Sequence, residues 1–324
     1  MAGTSVAVTG ASGFLGRHLV LRLGESGSGV HQISLPHESS PASDLEARLH
    51  GELSGCRAVV HLAARVHHAE DPPEEPGPYQ WPNIELTRIV LRATAAAGAR
   101  TFVFASSVKA VGEQSTEPWT EATPPQPMDA YGRSKLAAEA IVAEEGKALG
   151  LHTVTLRFPV IYGPGMRANM LRLFQAVERG LPLALGALHQ RRSLLFVGNA
   201  VAAIEAALNY ASREPGLFYV RDGDDVSPSQ LVTAIAASLG RPARLVPVPP
   251  GLLRVAGWLG DRLSGVIRSP IDSRAIARLT ESLQVDDTLI RERLGYRPRF
   301  SMEEGLAQTA AWFRALAPTP TARR

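Results

Sequence analysis

The sequence predicts an α/β protein, a doubly wound parallel sheet followed by a smaller, mostly helical C-terminal part. Three observations point there. Short apolar runs alternate with helical patterns through the first half, a glycine-rich turn joins the first run to the first helix, and after Arg157 the alternation gives way to helices punctuated by Pro and Gly. With 324 residues, 45% of them hydrophobic and 20% charged, the chain has enough apolar material for one large α/β unit or two lobes.

Ser5 to Thr9 reads as a buried strand, and the helix from about Phe14 sets Leu15, Leu19 and Leu23 on one face. Val30 to Leu35 is a weaker strand. Ala58 to Leu62, Thr101 to Phe104 and Thr153 to Leu156 are stronger ones, and helical stretches at Asn83 to Ala97 and Tyr131 to Leu149 separate them. Strands alternating with helices impose right-handed crossovers, hence helices on both faces of the sheet. Beyond the Pro/Gly cluster at Pro159 to Gly165, a helix is predicted near Asn169 to Glu178 and a short strand at Leu194 to Val197. Ser227-Pro228-Ser229-Gln230 is a helix start, and Ser301-Met302-Glu303-Glu304 repeats that logic before a last helix ending near Phe313. This divides the chain into a sheet domain over 1–160, a second part over 161–317 with an interleaved boundary, and a disordered tail over 318–324.

Composition excludes several classes. Thirty-four basic and 31 acidic residues leave a net charge of +3 without a dense basic run, so nucleic-acid binding is not expected. One cysteine, Cys56, cannot form an internal disulfide, which fits a reducing compartment. No charged leader and apolar segment precede Val6-Ala7-Val8, and the apolar stretch from Leu252 to Ile267 is broken by Arg254, Asp261 and Arg262. The expectation is a cytoplasmic protein without membrane insertion.

Gly10-Ala11-Ser12-Gly13-Phe14-Leu15-Gly16 follows the first strand and opens the first helix. Glycine serves where the chain turns tightly, where backbone approaches a pyrophosphate and where helix packs on strand; the helix N-terminus adds unpaired N–H groups. The placement predicts a Rossmann-type dinucleotide site over 1–160. At the end of the second strand, Ser34-Leu35-Pro36-His37-Glu38-Ser39-Ser40 shows neither the usual aspartate for the adenosine ribose nor an arginine for a 2′-phosphate, so NAD and NADP both stand. In Tyr131-Gly132-Arg133-Ser134-Lys135 the phenol and ammonium lie four apart on one helix face, where a cation favours the phenolate. That spacing is commonplace by itself. Ser106 and Ser107, at the C-terminal end of a strand, add hydroxyls where open α/β sheets bind ligands, although Ser106 also reads as a cap of the next segment.

The ordered set TGASGFLG, VVHLAA, FVFASSV, YGRSK, LRFPVIYGPG and RRSLLFV resembles the extended short-chain dehydrogenase/reductases, specifically the NAD-dependent epimerase/dehydratase branch acting on nucleotide sugars. It looks most like the UDP-hexose 4-epimerases and bacterial 4-keto-sugar reductases. The resemblance implies that Ser107, Tyr131 and Lys135 are catalytic, Lys135 lowering the tyrosine pKa and holding the nicotinamide ribose. It implies a cofactor site of Gly10, Ser12, Gly13, Phe14, Leu15, Gly16, Leu62, Ala63, Ala64, Asn83, Ser106, Tyr131, Lys135, Pro159 and Val160. For the substrate it implies Ser107 and Lys109 at the sugar, and Asn169, Arg192 and Arg278 at the diphosphate. It also implies a homodimer through a four-helix bundle of the Asn83–Ala97 and Tyr131–Leu149 helices. Leu86, Ile89, Val90 and Ala93 would either form that face or lie under the protein's own sheet.

The chain departs from the pattern in places. Pro36 to Ser43 leaves little room for the usual third strand, with Asp44-Leu45 its expected remnant, and Val160 replaces an asparagine of many epimerases. Val108-Lys109 stands where 4,6-dehydratases carry Asp-Glu, which disfavours that chemistry; Lys109 faces the sugar or merely covers the cleft. Cys56 and Trp258 read as packing, Asp71 to Pro76 as a solvated loop, and His67 and His68 as no metal site. Two enzymatic outcomes remain, 4-epimerisation of a UDP-hexose or UDP-N-acetylhexosamine and NAD(P)H-dependent reduction of a 4-keto sugar nucleotide. A non-catalytic dinucleotide sensor is a distant third, since such proteins tend to lose the Tyr/Lys pair.

Overall fold

The structure is a computed structural model, and residues 5–37, 41–66, 77–210, 215–263, 276–277 and 280–316 are described. In chain order, β1 (Ser5–Thr9), α1 (Phe14–Glu25), β2 (Val30–Ile33), α2 (Ala42–Leu53) and β3 (Cys56–His61) form the first half of the sheet. A single turn α3 (Gly77–Tyr79) continues through a π-helical stretch, Gln80–Glu85, into α4 (Leu86–Ala96). Then follow β4 (Thr101–Ser107), α5 (Ala130–Ala148), β5 (His152–Phe158), β6 (Val160–Tyr162), α6 (Ala168–Glu178), β7 (Leu194–Phe196), α7 (Val197–Leu208) and β8 (Gly216–Tyr219). The chain continues with α8 (Pro228–Leu239), α9 (Pro250–Leu263), α10 (Thr288–Leu294) and α11 (Met302–Leu316).

The main sheet is parallel, in the order β2-β1-β3-β4-β5-β8, and β6 and β7 form a separate parallel pair. Alternation along the strands explains the two layers. Val6, Val8, Val60 and Val103 share one apolar cluster with Leu19 and Leu23 of α1 and Ile204 of α7. Ala7, Val59, Phe102 and Phe104 point the other way, onto Leu45 and Leu49 of α2, Ile89 and Val90 of α4 and Ile141 and Val142 of α5. A third cluster, built from Phe174, Phe196, Val232, Ile235 and Leu306, holds α6, α8 and α11 together.

Strands β1 to β5 and helices α1, α4, α5 and α6 fall where the sequence reading placed them, whereas α2, β6 and α7 were not anticipated. Both predicted helix starts carry capping boxes: Ser227 Oγ accepts from Gln230 N at 3.2 Å while Gln230 Oε1 accepts from Ser227 N at 2.9 Å, and Ser301 and Glu304 pair the same way. Two expectations change, and one open alternative is decided. Asp44-Leu45 is not a strand remnant but part of α2, which buries Leu45, Leu49 and Leu53 and covers the sheet where another strand would extend it. β8 was not anticipated, because a Gly-Leu-Phe-Tyr tetrapeptide is too short to show a period, and it closes the β5 edge. Leu86, Ile89, Val90 and Ala93 are all buried under the protein's own sheet and neighbouring helices. The predicted tail over 318–324 lies outside the described residues.

Candidate active site

β1 lies between β2 and β3, so the chain leaves the sheet in opposite directions at the carboxyl ends of β1 and β3, which is where open parallel sheets place their ligands. The glycine turn sits there. Gly10 has φ +68°, and a Cβ on it would fall 2.7 Å from Ala63 N, so the turn is pressed against the segment leaving β3. A Cβ on Gly16 would collide with the Gly10 carbonyl, so α1 packs against its own entry loop. Gly13 is different: a Cβ there would meet only Gly10 O, at 3.1 Å. Gly13 is the N-cap of α1 and supplies no side-chain hydrogen bond, so the first N–H groups of α1 are left for another acceptor. Ser12 is exposed, whereas Phe14, Leu15, Leu62, Ala63 and Ala64 are half-buried along the same opening. This chain's residues fit a dinucleotide pyrophosphate.

Beneath the turn runs a buried polar chain that the sequence reading did not single out. Thr9 Oγ1 is 2.8 Å from His61 Nδ1 and accepts from Ala63 N at 3.3 Å; His61 Nε2 is 3.1 Å from Thr87 Oγ1, which donates to Asn83 O at 2.7 Å. Since the Thr87 proton is used on Asn83, a neutral His61 donates through Nε2 and accepts at Nδ1. Burial, with the Lys135 charge adding to it, lowers its pKa to about 3, so it is neutral. Asn83 ties the far end: Oδ1 accepts from Arg65 N at 2.8 Å, and Nδ2 lies 3.1 Å from Arg65 O and 2.9 Å from Ser134 Oγ. Its amide is fully engaged, so Asn83 supports the pocket by fixing the loop after β3 to α5.

β4 ends at Ser107, paired with Phe158 in β5, and the next residues of that neighbour are the buried Pro159 and the half-exposed Val160. Asp129 caps α5, its Oδ1 accepting from Gly132 N at 2.6 Å, and so sets Tyr131 in the first turn. The Tyr131 ring stands 6.0 Å from that of buried Tyr79, and the Ser107 side chain is close enough to its hydroxyl to favour the phenolate. Burial pushes the phenol up to about 12; Ser107 opposes this, and Asp129 and Tyr79 add to it. The expected downward pull from Lys135 is absent. The ammonium instead donates to Ala105 O at 2.8 Å and lies 4.7 Å from the centre of the Phe104 ring. The tyrosine is therefore a phenol at neutral pH, and Lys135 stands one turn away on the same helix face.

Burial lowers Lys135 from 10.5 to about 8, with the Glu139 charge opposing. The folded protein thus disfavours the ammonium by ~3 kcal/mol at ~1.4 kcal/mol per unit. The penalty is fully present below pH 8; as pH rises toward 10.5 the unfolded lysine also deprotonates, so stability climbs through that window. Lys135→Met is accordingly expected to raise the unfolding midpoint at neutral pH and to lose that advantage near pH 10.5, as read by thermal melts at both values.

Ser106 and Ser107, being consecutive in a strand, point to opposite faces. Ser106 Oγ donates to Glu139 Oε1 at 2.5 Å, away from Tyr131, so its hydroxyl is taken by a buried ion pair. Arg157 grips the same carboxylate in bidentate fashion, Nε to Oε1 at 3.0 Å and Nη2 to Oε2 at 2.7 Å, and donates to Tyr219 Oη at 3.0 Å. Lys109 is engaged too, with Nζ 2.8 Å from Glu113 and 2.6 Å from Asp129. Between its two possible roles the geometry selects neither a free sugar ligand nor a passive cover: it offsets the carboxylate that caps α5. Ser107, not Ser106, caps the turn that follows, accepting from Lys109 N at 3.2 Å.

The C-terminal part comes onto the site through the Gly163–Gly165 turn. A Cβ on Gly165 would lie 3.6 Å from the Phe14 ring, and His18 Nε2 is 2.7 Å from Pro164 O. Asn169 is exposed in the first turn of α6, next to Ala168, whose φ of 53° makes it the one non-glycine residue among the described residues with positive φ. Arg192 lies on the strand-like bridge between Val226 and Leu283 and donates from Nη1 to Glu281 O at 3.1 Å. Arg278, Glu38, His67, His68 and Asp71 to Pro76 lie outside the described residues. An arginine from outside the segment 34–40, Arg48 of α2, donates to Ser34 O at 3.1 Å while pairing with Glu52 at 2.7 Å. It escaped notice because it is 14 residues further along the chain. Among the described residues no three His, Cys, Asp or Glu side chains are grouped to hold a metal, and Cys56 is buried as packing.

A phosphate cradle at the switch point of a parallel sheet, with a half-buried Ser107 and Tyr131 and a buried Lys135 at the adjoining strand end, defines a protein of the extended short-chain dehydrogenase/reductase class. Within it the chain belongs to the NAD-dependent epimerase/dehydratase family, whose model matches residues 6–220. It is 31% identical over 322 residues to the UDP-glucose 4-epimerase of Vibrio cholerae, covering 95% of both chains. It is 28% identical over 317 residues, 94% of both, to N-acetyl-alpha-D-glucosaminyl-diphospho-ditrans,octacis-undecaprenol 4-epimerase of Escherichia coli O157:H7. A solved structure, MoeE5 in complex with UDP-glucuronic acid and NAD, superposes with a TM-score of 0.72 at 26% identity, over 96% of this chain and 99% of that one.

Proposed function

We propose that this chain is an NAD-dependent 4-epimerase of a diphosphate-linked hexose, a UDP-hexose or UDP-N-acetylhexosamine, working through a 4-keto sugar. The observation that carries the reading is the juxtaposition of Ser107, at the end of β4, with Tyr131 and Lys135 in the first turns of α5, beside the Gly13-capped cradle. The dinucleotide supplies a hydride acceptor and then a hydride donor. Tyr131 moves the proton at the sugar O4, as base when the alcohol is oxidised and as acid when the ketone is reduced. Ser107 holds O4 in reach of the phenol. Deprotonating a phenol that burial holds near 12 requires positive charge, and Lys135, on the same helix face, is the chain's own source of it. Asn83, Thr9 and His61 keep the two walls of the pocket in register. Arg192 and Asn169 are our candidates for the diphosphate, and Arg278 a further one; an arginine fork suits two phosphate oxygens.

A homodimer is part of this proposal. The buried face of α4 cannot serve it, but Leu136, Ala137, Ala140 and Ala143 of α5 with Leu217 of β8 line an open groove of about 460 Å³ that suits a second copy's helix. A cytoplasmic location goes with it.

The test begins with the protein as purified. Dinucleotide released by denaturation is identified by mass, and native protein is incubated with UDP-glucose and UDP-N-acetylglucosamine. Retained NAD and appearance of the 4-epimer support the proposal. Consumption of NADH or NADPH only when a 4-keto sugar nucleotide is supplied replaces it with the reductase reading, which uses the same residues for one half-reaction. No turnover in either assay overturns both.

A further inference from the structure

Helix α9 turns three of its large apolar side chains to solvent. Leu252, Val255 and Trp258 are 60%, 53% and 50% exposed, at spacings that set them on one side of the helix, while Leu253 alone among its leucines of known placement packs into the cluster around Phe174 and Ile235. Sequence reading took Trp258 as packing, but half of its surface is open. Arg262 lies over the indole, 4.2 Å from the ring centre, and Arg254 is exposed on the same helix. The loop that leads into α9 adds exposed Val246 and exposed Arg244.

Charge is concentrated there. Residues 241 to 263 hold four arginines and one aspartate, a net +3 that equals the net charge of the whole chain. Arg241 is paired with Glu178, but Arg244, Arg254 and Arg262 form no ion pair with a described carboxylate. An exposed apolar face carrying a tryptophan and edged by unpaired arginines matches the boundary of an anionic bilayer, where acyl chains accept the first and headgroups the second. The helix has 14 residues, which rise ~21 Å, too short to cross. None of the described helices is long and apolar enough to span a membrane, so any engagement is peripheral.

We propose that α9 is a docking helix that lays this protein on an anionic membrane surface, with Leu252, Val255 and Trp258 entering the headgroup boundary and Arg254 and Arg262 binding lipid phosphates. A second copy of the chain fits this face less well, because the unpaired arginines of two copies would meet each other. The inference does not depend on the proposed reaction. Joined to it, docking gives the site access to a sugar whose diphosphate is carried by a membrane lipid as well as by a nucleoside.

The test is sedimentation of the full chain, without substrate, with vesicles of phosphatidylglycerol and phosphatidylcholine. Binding is expected, weaker with phosphatidylcholine alone and at high salt. The combined Leu252→Ser, Val255→Ser and Trp258→Ser variant is expected to lose at least ~10-fold in partitioning, and Arg254→Glu with Arg262→Glu a similar factor, at ~5-fold per arginine near an anionic surface. Both variants should keep the wild-type far-ultraviolet circular dichroism, which shows that they fold. Three outcomes overturn the proposal: no vesicle binding by the wild type, equal binding by both folded variants, or a fall in oligomeric mass on serine substitution, which assigns the face to a second copy. Each is read independently of whether UDP-sugars turn over.

Discussion

Tyr131→Phe is expected to cut turnover by ~10²–10⁴-fold, the usual worth of a positioned acid/base, while dinucleotide binding stays within twofold of the wild type. The substitution removes one hydroxyl and keeps the ring that packs 6.0 Å from Tyr79, so the pocket retains its wall. Nothing in the cradle touches that hydroxyl: Gly10 leans on Ala63, and Asn83 is bound to Arg65 and Ser134. Binding measured by calorimetry beside turnover of a UDP-sugar separates the two effects. A variant that still turns over near the wild-type rate would remove Tyr131 from its role, and one that loses the dinucleotide as well would show that the hydroxyl supports the pocket. Ser107→Ala should cost less, because the phenol can still transfer its proton.

Much of this site is local in sequence and was legible for that reason. A strand, a three-glycine turn and the start of a helix occupy twelve consecutive positions from Ser5 to Gly16, and the tyrosine and lysine sit one helical turn apart. Ser107 followed from its place at a strand end. What stayed hidden depends on side chains brought together from distant segments. Glu139 lies a further turn beyond Lys135 and reads as a solvated residue until β5 brings Arg157 beneath it, 18 residues later in the chain. His61 was visible only as a polar interruption of the strand Cys56–His61; its partners Thr9 and Thr87 are 52 and 26 residues away. The tyrosine pKa was misjudged in direction for a related reason. Helix spacing shows that Lys135 shares a face with Tyr131, but not that its ammonium is occupied by the Ala105 carbonyl or that burial dominates the phenol.

The same distinction, between charge that is near and charge that is committed, bears on Lys109. Its ammonium is bound to Asp129 and Glu113, and Asp129 is among the groups that push the Tyr131 phenol up. Lys109 thus works through Asp129, as a counter-charge at the cap of α5, and it can do so from outside the pocket.

Glu139→Gln should destabilise the fold by ~3–5 kcal/mol, because it leaves Arg157 charged and buried with only the Tyr219 hydroxyl and a neutral amide for company. Both partners are at most 5% exposed, so water cannot compensate. Replacing both, as Glu139→Met with Arg157→Met, should return most of that stability, since a well-packed apolar pair is often as stable as a buried ion pair. Activity then decides what the pair is for. Glu139 supports the charge on Lys135 against burial and accepts the Ser106 hydroxyl, so its removal should leave Lys135 deprotonated at a lower pH and reduce kcat at neutral pH with little change in KM. Raising the pH would not rescue this loss, because deprotonation removes the charge that the phenol needs. A double variant that regains both its melting point and its kcat makes the pair structural only. One that regains the melting point alone makes Glu139 a positioning residue, third along the helix face that begins with Tyr131 and Lys135.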